Sequence, residues 1–415
     1  MPKPTADRHR PRGLIRPRLL PFVSRWLAVL AGGLLLAWLA GRVWTDTHLL
    51  TQALWFLPTE GVLLAAGLLL ACSRLAYIPA TRPGGVIVRP IVLAGLLIAC
   101  GWYAWVALRP MNAFAPGAGG APSARVLHWN LSFTRELENA GEAVLALRPD
   151  VAIVVHPRRD QGFESLVDGM GRLLDAGELA VVESPPGEHG SSDDEPGGLL
   201  AGLEVAGEPR VRVLHWAVIA SRWPIVRTGE ARLRDTGESA LEESGIGWRS
   251  SGDPGRVAFI ELDTGDAFGL DRPMVVWVVD LPSDPTLHRE TTAREARRSV
   301  DAWNGPAFAP DDMGRWIARR AQGVVAFPQP DVVVGDFNAP RGSRSLRHLV
   351  EGLREAHAQA GFGPDRTWNH KHGVALWSID HAYAAPGWRI THYDVTPPPR
   401  GPHALQVVEV VRGGD

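Results

Sequence analysis

The chain has 415 residues and a formal net charge of −2, from 43 basic and 45 acidic side chains, but the charges are segregated. Residues 1–110 hold 12 Lys and Arg against 3 Asp and Glu, which leaves 31 against 42 in 111–415. Collagen-like and wholly disordered classes are excluded; with only Lys3 and Lys371 present, a P-loop or Schiff-base lysine has almost no place, and with Cys72 and Cys100 both in apolar runs the acidic part has neither a disulfide framework nor a Cys-ligated zinc.

The basic end is also the apolar end. A tail, residues 1–21, carries Lys3, Arg8, Arg10, Arg12, Arg16 and Arg18, and apolar runs follow at about 22–41, 49–72 and 90–108. Each is close to the ~20 residues a helix needs to cross the ~30 Å hydrocarbon layer, so three transmembrane helices are expected. A cleaved signal peptide would show one short apolar core and then soluble sequence. The first loop offers only Arg42, beside Asp46, whereas the second holds Arg74, Arg82 and Arg89. The positive-inside rule then places the N-terminus in the cytoplasm and everything after Leu108 outside. Trp44, Trp55, Trp102 and Trp105 suit interfacial positions. Glu60 reads either as a functional group at membrane depth or as the outer end of a span over 61–79.

Residues 109–124 read as a linker, because 111–124 is small, rich in Pro and Gly, and uncharged. The texture then changes, and 125–412 reads as one large domain. Residues 125–129 form a strand candidate, 136–147 carry helical spacing, and 151–155 is an apolar run suited to a buried strand. Runs at 217–220, 274–279, 332–334 and 405–411 look similar. Apolar strands alternating with helical stretches predict a layered α/β or α+β domain. The Ser, Pro, Gly and acid stretch 184–198 reads as a mobile surface loop, and 229–255 and 301–330 read as long loops.

Gly-x-Ser-x-Gly, His-Glu-x-x-His, Walker and dinucleotide Gly-rich motifs are all missing. His370 and His372 could present two imidazoles on one strand face, but in a polar loop they read as solvated. The informative feature is a set of strand ends carrying polar residues. Residues 332–339 run from an apolar strand through Gly335 to Asp336 and Asn338, whose i, i+2 spacing points both the same way. They offer a carboxylate and an amide to one site, as ligands for a hard cation or as a base and a donor for a phosphoryl group. Residues 126–130 likewise end in Asn130. Near the C-terminus come Asp380 with His381, and then His403; an Asp near a His orients the imidazole and stabilises its protonated form.

The order of these pieces resembles the endonuclease/exonuclease/phosphatase superfamily, over about residues 124–412. The matching stretches are 125–130 (RVLHWN), 147–156 (LRPDVAIVVH), 217–225 (AVIASRWPI), 276–283 (VWVVDLPS), 333–339 with its G-D-F-N-A, 378–381 (SIDH) and 401–405. The resemblance implies a four-layered α/β sandwich: two packed, mainly antiparallel sheets flanked by helices, here behind a three-helix anchor. It also implies site roles. Asn130 and Asn338 would position the phosphate or metal, Asp336 would orient or activate the attacking water, and Asp380 with His403 would stabilise the developing charge, His403 also touching the phosphate. Three spans ahead of this domain are similar to bacterial membrane-bound members linked to glycopeptide resistance, implying an integral protein of a bacterial-type cell membrane that meets polyprenyl-phosphate lipids.

The departures from the family pattern bear on chemistry. The metal-binding Glu is His156, the preceding Gln is Val155, a mid-chain His or Tyr is Asp280, and the Asp before the last His is Pro402. His156 is either an imidazole ligand, favouring Mn²⁺ or Zn²⁺ over Mg²⁺, or the mark of a dismantled metal site; Asp280 could return a carboxylate to the same cleft. The metal set would be His156, Asn130 and Asp336, holding Mg²⁺ or Mn²⁺. Three functions follow: an anchored, extracytoplasmic, metal-dependent phosphoesterase acting on a lipid-linked or other phosphorylated substrate; a degenerate member that binds a phosphorylated ligand; or an extracellular nuclease. Acidic surplus opposes the last, since nucleic acid demands a basic face, and no nucleic-acid partner is expected. The expected topology is checked by a reporter fused after Ala124: one active only outside the cytoplasm should be on, and one active only inside should be off.

Overall fold

The structure is a computed structural model that describes residues 16–75, 88–114, 117–132, 134, 139–158, 163–174, 181–183, 203–205, 210–234, 255–311, 315–319, 326–370, 374–399 and 401–413. The 184–198 stretch, the Lys371–His372 pair and most of the tail 1–21 lie outside these residues, as do 235–254 and the first residues of the expected helix 136–147. The chain divides into two compact units. One comprises the chain up to Val43 with Leu57–Val106; the other comprises Trp44–Phe56 with Ala107–Asp415.

The first unit is helical. Its helices Arg16–Trp44, Thr59–Leu75 and Val88–Leu108 share a small core of Trp38, Val62, Leu63 and Ala99. The Ser24 hydroxyl donates to the Ser73 carbonyl at 2.7 Å and the Ser73 hydroxyl to the Ser24 carbonyl at 2.6 Å, so two polar side chains are satisfied inside the bundle. Leu64, Leu97 and Ile98 point outward and are exposed, an apolar exterior suited to lipid and unfavourable in water. Two helices, Pro21–Trp44 and Val88–Phe114, are long and apolar enough to cross a membrane, or three if Leu49–Trp55 and Thr59–Leu75 count as one broken span. The run 49–72 is therefore not the single helix its composition suggested. Pro58 restricts Leu57 and supplies no N–H, so one helix stops at Trp55 and the next starts at Thr59. Glu60 falls in that first turn, where a carboxylate interacts favourably with unpaired N–H groups.

In the second unit, six strands form one sheet in the order Trp388–Thr396, Leu405–Arg412, Ser123–Asn130, Val151–Val155, Ala217–Ser221, Val211–Leu214. Eight form another: Trp316–Arg319, Ala307–Pro310, Ile225–Arg232, Arg256–Leu262, Met274–Asp280, Val332–Asp336, Asp380–Ala384, Arg354–Glu355. Both are mixed, with a parallel pair in each: Ser123–Asn130 beside Val151–Val155, and Met274–Asp280 beside Val332–Asp336.

Strand period two assigns each side chain to a layer. Val126, Ile153 and Ile219 from one sheet meet Ile260, Val276 and Val334 from the other in an inter-sheet core. Their neighbours Leu127, Ala152 and Val218 face out, under Val144, Leu166 and Met170 of the helices Ala140–Ala146 and Phe163–Leu173. On the far side, Val257, Val275 and Val333 lie under Ala296, Val300 and Leu349, from the helices Arg289–Asp301 and Arg347–Val350. Four layers result, helix, sheet, sheet, helix. Both faces of the central strands are buried, which is why they read as continuous apolar runs.

Two expected loops contain strands. Ile225–Arg232 carries on past residue 229, and the hairpin of Ala307–Pro310 with Trp316–Arg319 lies inside 301–330. Their alternation is weak because they lie toward one edge of the sheet, half covered, and Pro310 is tolerated because it closes its strand beyond Ala307 and Phe308, the residues paired with Ile225–Arg232. Part of the expected linker is also fastened down: the Asn112 amide donates to the His357 and Gly361 carbonyls at 3.1 and 2.9 Å.

Gly335 is required by close approach. A Cβ there would collide with the Val279 backbone of the parallel neighbour, and its φ is +157°. Gly335→Ala should lower stability by about 1–3 kcal/mol, read as a lower denaturant midpoint with an unchanged slope.

Candidate active site

The inner face of the eight-stranded sheet is apolar along its length and turns charged at one end. Asp336 is paired in register with Asp280 on its parallel neighbour and with Asp380 on its antiparallel one, and Asp280 is in turn opposite Arg256. Paired residues project to the same side, so a row of Arg256, Asp280, Asp336 and Asp380 crosses four adjacent strands. All four side chains are buried.

Asn130, at the end of its strand in the other sheet, closes the gap between the sheets. Its amide donates to Asp336 Oδ2 at 2.9 Å, and its oxygen accepts the Ser132 N–H at 2.8 Å. Asp336 Oδ1 accepts the Asn338 N–H at 2.9 Å, while the Asn338 side chain donates to the Leu281 carbonyl at 2.7 Å. His403 lies between two carboxylates: Nδ1 is 2.9 Å from Asp380 Oδ2 and Nε2 is 3.7 Å from Asp336 Oδ2. Thr367 fixes Asp380 from behind, its hydroxyl accepting the Ile379 and Asp380 N–H groups at 3.0 and 2.9 Å. On the other flank, His156 Nε2 is 2.9 Å from Asp280 Oδ2, and Arg256 Nε is 4.0 Å from the same oxygen. His156 (φ +52°) and Asn338 (φ +47°) both have left-handed backbone, a conformation that non-glycine residues adopt only when their surroundings enforce it.

Titration follows from this crowding. Burial and the neighbouring Asp380 charge push the Asp336 carboxyl up to about 7, although His403 opposes them. Burial alone would lower His403, but the Asp380 and Asp336 carboxylates outweigh it and raise the imidazole to about 9. Asp380, despite the upward push of burial, is held below its ordinary value by charge and hydrogen bonding from His403. His128, fully buried on the same inner face with Nδ1 3.8 Å from Asp380 Oδ1, is pushed down to about 4 by burial and stays neutral.

The residues suggested by sequence therefore converge. Asn130, His156, Asp280, Asp336, Asn338 and His403 all line one cavity of about 610 Å³, and Asp380 stands directly behind His403. His381 faces away, with Nε2 2.8 Å from the Ala339 carbonyl. Asn130 acts as a brace for Asp336, both ends of its amide being hydrogen-bonded.

The sequence reading missed two kinds of residue. Arg289 lines the cavity fully buried; its terminal nitrogens each donate at 2.6 Å, to the Pro282 and Asp284 carbonyls, and its Nε has no hydrogen-bond partner among the described residues. It stands in a helix dense with arginines, so nothing local marked it. The aromatic lining, Phe56, Trp368 and Trp377, was the other omission. Trp368 and Trp377 are paired across a two-stranded hairpin, a signal that the 368–377 spacing of two tryptophans does carry.

A divalent ion suits part of this donor set. Ligand atoms of Asp336, Asp380 and His403 lie within 4.8 Å of one another, but His403 keeps its proton to about pH 9 and already serves there as the cation. Asp280, in register with Asp336, and His156, 2.9 Å from Asp280, extend that donor set along the row, a mixture of oxygen and nitrogen donors. Burial first and the Asp380 charge second raise Asp336 to about 7, and a bound cation would favour its carboxylate form.

A sandwich of two mixed sheets whose strand ends gather buried carboxylates, amides and an imidazolium defines a class of phosphoester-processing folds. The family model for the Endonuclease/Exonuclease/phosphatase family matches residues 127–403, and the chain belongs to that family. Its members are phosphoric ester hydrolases and usually use divalent metals. No curated protein sequence matches the chain. Among solved structures it is similar to an endonuclease/exonuclease/phosphatase family protein from Bacteroides thetaiotaomicron, at 14% identity and a TM-score of 0.42, covering 71% of this chain and 99% of that one. It is similar too to a mannosyl-6-phosphatase from the same organism (15%, TM-score 0.40, 69% and 99%) and to an endonuclease/exonuclease/phosphatase from Beutenbergia cavernae (16%, TM-score 0.40, 71% and 72%).

Replacing Asp380 by Asn should return the His403 pKa from about 9 toward the ordinary imidazole range, seen in the pH titration of its ring protons by NMR. Linkage gives a second readout. His403 is raised on folding, so its stabilisation is complete below about 6.5 and lost as pH rises through about 9; Asp380→Asn should flatten that alkaline decline.

Proposed function

We propose that the protein is a metal-dependent phosphoesterase, anchored in a cell membrane with its cytoplasmic N-terminus and its large domain outside, acting on a lipid-linked or other phosphorylated substrate. The observation that carries the catalytic reading is geometric: Asp336, braced by Asn130, and His403, braced by Asp380, stand 3.7 Å apart on one cavity wall, where burial and neighbouring charge raise the first to about 7 and the second to about 9. Between those values one group is a base and the other an acid, a pairing matched to water attack on a phosphate ester.

Each residue then has a task. Asp336, held by Asn130 and by the Asn338 N–H, orients a water molecule and takes its proton as the oxygen attacks phosphorus. His403, fixed by Asp380, hydrogen-bonds a phosphoryl oxygen and gives its proton to the leaving alcohol as the P–O bond breaks. Arg289 adds a buried positive charge on the cavity wall. Asp336, Asp280 and His156 would hold a divalent ion, which when bound supplies charge neutralisation for the phosphate. The anchored location rests on the apolar helices and the basic tail, and a tether of that kind concentrates the domain at lipid head groups.

A second reading is favoured by one feature. His156 and Asp280 form a closed pair at 2.9 Å where the family pattern has a metal-binding Glu, which suits a module that binds a phosphorylated ligand without turnover.

The test is hydrolysis of phosphomonoesters, phosphodiesters and polyprenyl pyrophosphate by the full-length protein with Mg²⁺, Mn²⁺ or Zn²⁺. Activity should rise through about pH 7 as Asp336 ionises and fall through about pH 9 as His403 loses its proton. Higher metal concentration should move the acidic limb downward, because a cation favours the carboxylate. Asp336→Ala should cost about 10²–10⁴ in rate, and His156→Glu should shift preference from Mn²⁺ toward Mg²⁺. Silence of wild type and of His156→Glu with every metal establishes the binding reading instead.

A further inference from the structure

Residues 44–56, which include the first part of the second apolar run, belong by packing to the catalytic unit. Gln52 is buried there, with its whole amide engaged: Nε2 donates to the Pro285 and Leu287 carbonyls at 3.0 and 2.8 Å, and Oε1 accepts the Arg289 N–H at 2.9 Å. Trp55 Nε1 donates to Ser343 Oγ at 2.8 Å, and the buried Asp46 carboxylate accepts from Ser345. Phe56 is held through its carbonyl, which accepts the Trp377 indole N–H at 2.7 Å, and its ring lies 5.9 Å from the Arg289 guanidinium. A strut that only held two parts of a chain together would need none of its side chains in the cavity. Here Ala53 and Phe56 line it, opposite the phosphate-facing residues in composition and alongside Trp368 and Trp377, whose rings are 5.2 Å apart.

We propose that residues 44–56 are part of the active site, and that Phe56 and Ala53, with Trp368 and Trp377, form the wall on which the hydrocarbon part of an amphiphilic phosphate ester rests while its phosphate lies against Asn338, Asp336 and His403. The proposal deepens the phosphoesterase reading and rests on it. Two features favour an apolar alcohol over a sugar or a nucleoside. The wall presents aromatic and methyl surface, and the Trp377 N–H is already donated to the Phe56 carbonyl, so that donor is not offered to a hydroxylated group. Burying a hydrocarbon chain there is favourable in proportion to the area covered. Phe56 is on this account a specificity-determining residue, and Gln52 a positioning residue that sets both Phe56 and the first turn of the Arg289 helix.

The experiment uses the full chain in bilayer discs and a homologous set of 4-nitrophenyl phosphodiesters with ethyl, hexyl and decyl groups. In the wild type kcat/KM should rise with chain length. Phe56→Ser should lower the decyl-to-ethyl ratio about tenfold, the size expected for one lost aromatic contact, while Phe56→Leu should restore most of it. Ala53→Glu, which places a charge on the same wall, is the second variant should Phe56→Ser fail to fold. Ethyl and decyl esters falling in step, or a wild type indifferent to chain length, overturns the proposal. A parallel arm measures binding of ethyl- and decylphosphonate through Trp fluorescence. If no ester is turned over with any metal, the phosphoesterase reading fails, yet tighter binding of decylphosphonate that Phe56→Ser abolishes still upholds the wall. Equal affinity for the two phosphonates in wild type sinks it.

Discussion

Three aspartates side by side across adjacent strands set the terms for the rest of the domain. Like charges directly opposite in a sheet repel, and burial in a low-dielectric layer strengthens the repulsion. The row survives because each member has a compensating partner: His403 between Asp336 and Asp380, and His156 with Arg256 beside Asp280. These partners come from other strands and loops, so both sheets must be in register before the charges are matched. The Val279–Gly335 approach and the left-handed turns at His156 and Asn338 are what bring the backbone close enough for that matching.

The two Asp–His pairs flanking Asp336 are chemically unlike despite their equal 2.9 Å separations. His403 is enclosed between two carboxylates and rests on a third element, with Trp129 donating to its carbonyl at 3.1 Å. Its freedom to turn is small, and its proton is held firmly. His156 follows directly on a strand end and remains partly open to the cavity, and its partner Asp280 is shared with Arg256. One pair holds an imidazolium between two carboxylates; the other sets an imidazole and an arginine against a single carboxylate.

Much of this was readable from residues alone. Asn130 and Asp336 stood out because a polar residue closing an apolar run is locally visible, Asp380 because a His follows it, and the four-layered fold followed from the family that the ordered stretches resemble. The row itself was not readable, because register between strands 44 or 56 positions apart is a tertiary fact: Asp280, Asp336 and Asp380 carry no local sign of being neighbours. Arg256 and Arg289 were hidden among many arginines, and only burial separates them from the solvated ones. The break after Trp55 was signalled by Pro58, but hydropathy smoothed over it. Phe56 looked like one more apolar residue of a span, since nothing in a sequence distinguishes a side chain facing lipid from one facing a cavity.

The catalytic unit is thus discontinuous, residues 44–56 in one stretch and 107–415 in another. The hydrogen bonds joining them span 233 residues from Gln52 to Pro285, 299 from Asp46 to Ser345, and 321 from Phe56 to Trp377. A ribosome delivers the first stretch early and the residues that receive it, from Pro285 to Trp377, long afterwards. Gln52 and Asp46, polar groups suited to a protein interior, have no partners for most of the time the chain is being made. Closing so long a loop is slow, though lengthening it further adds little entropy. Ala53 and Phe56 are the earliest-made part of the cavity lining and among the last to be put in place.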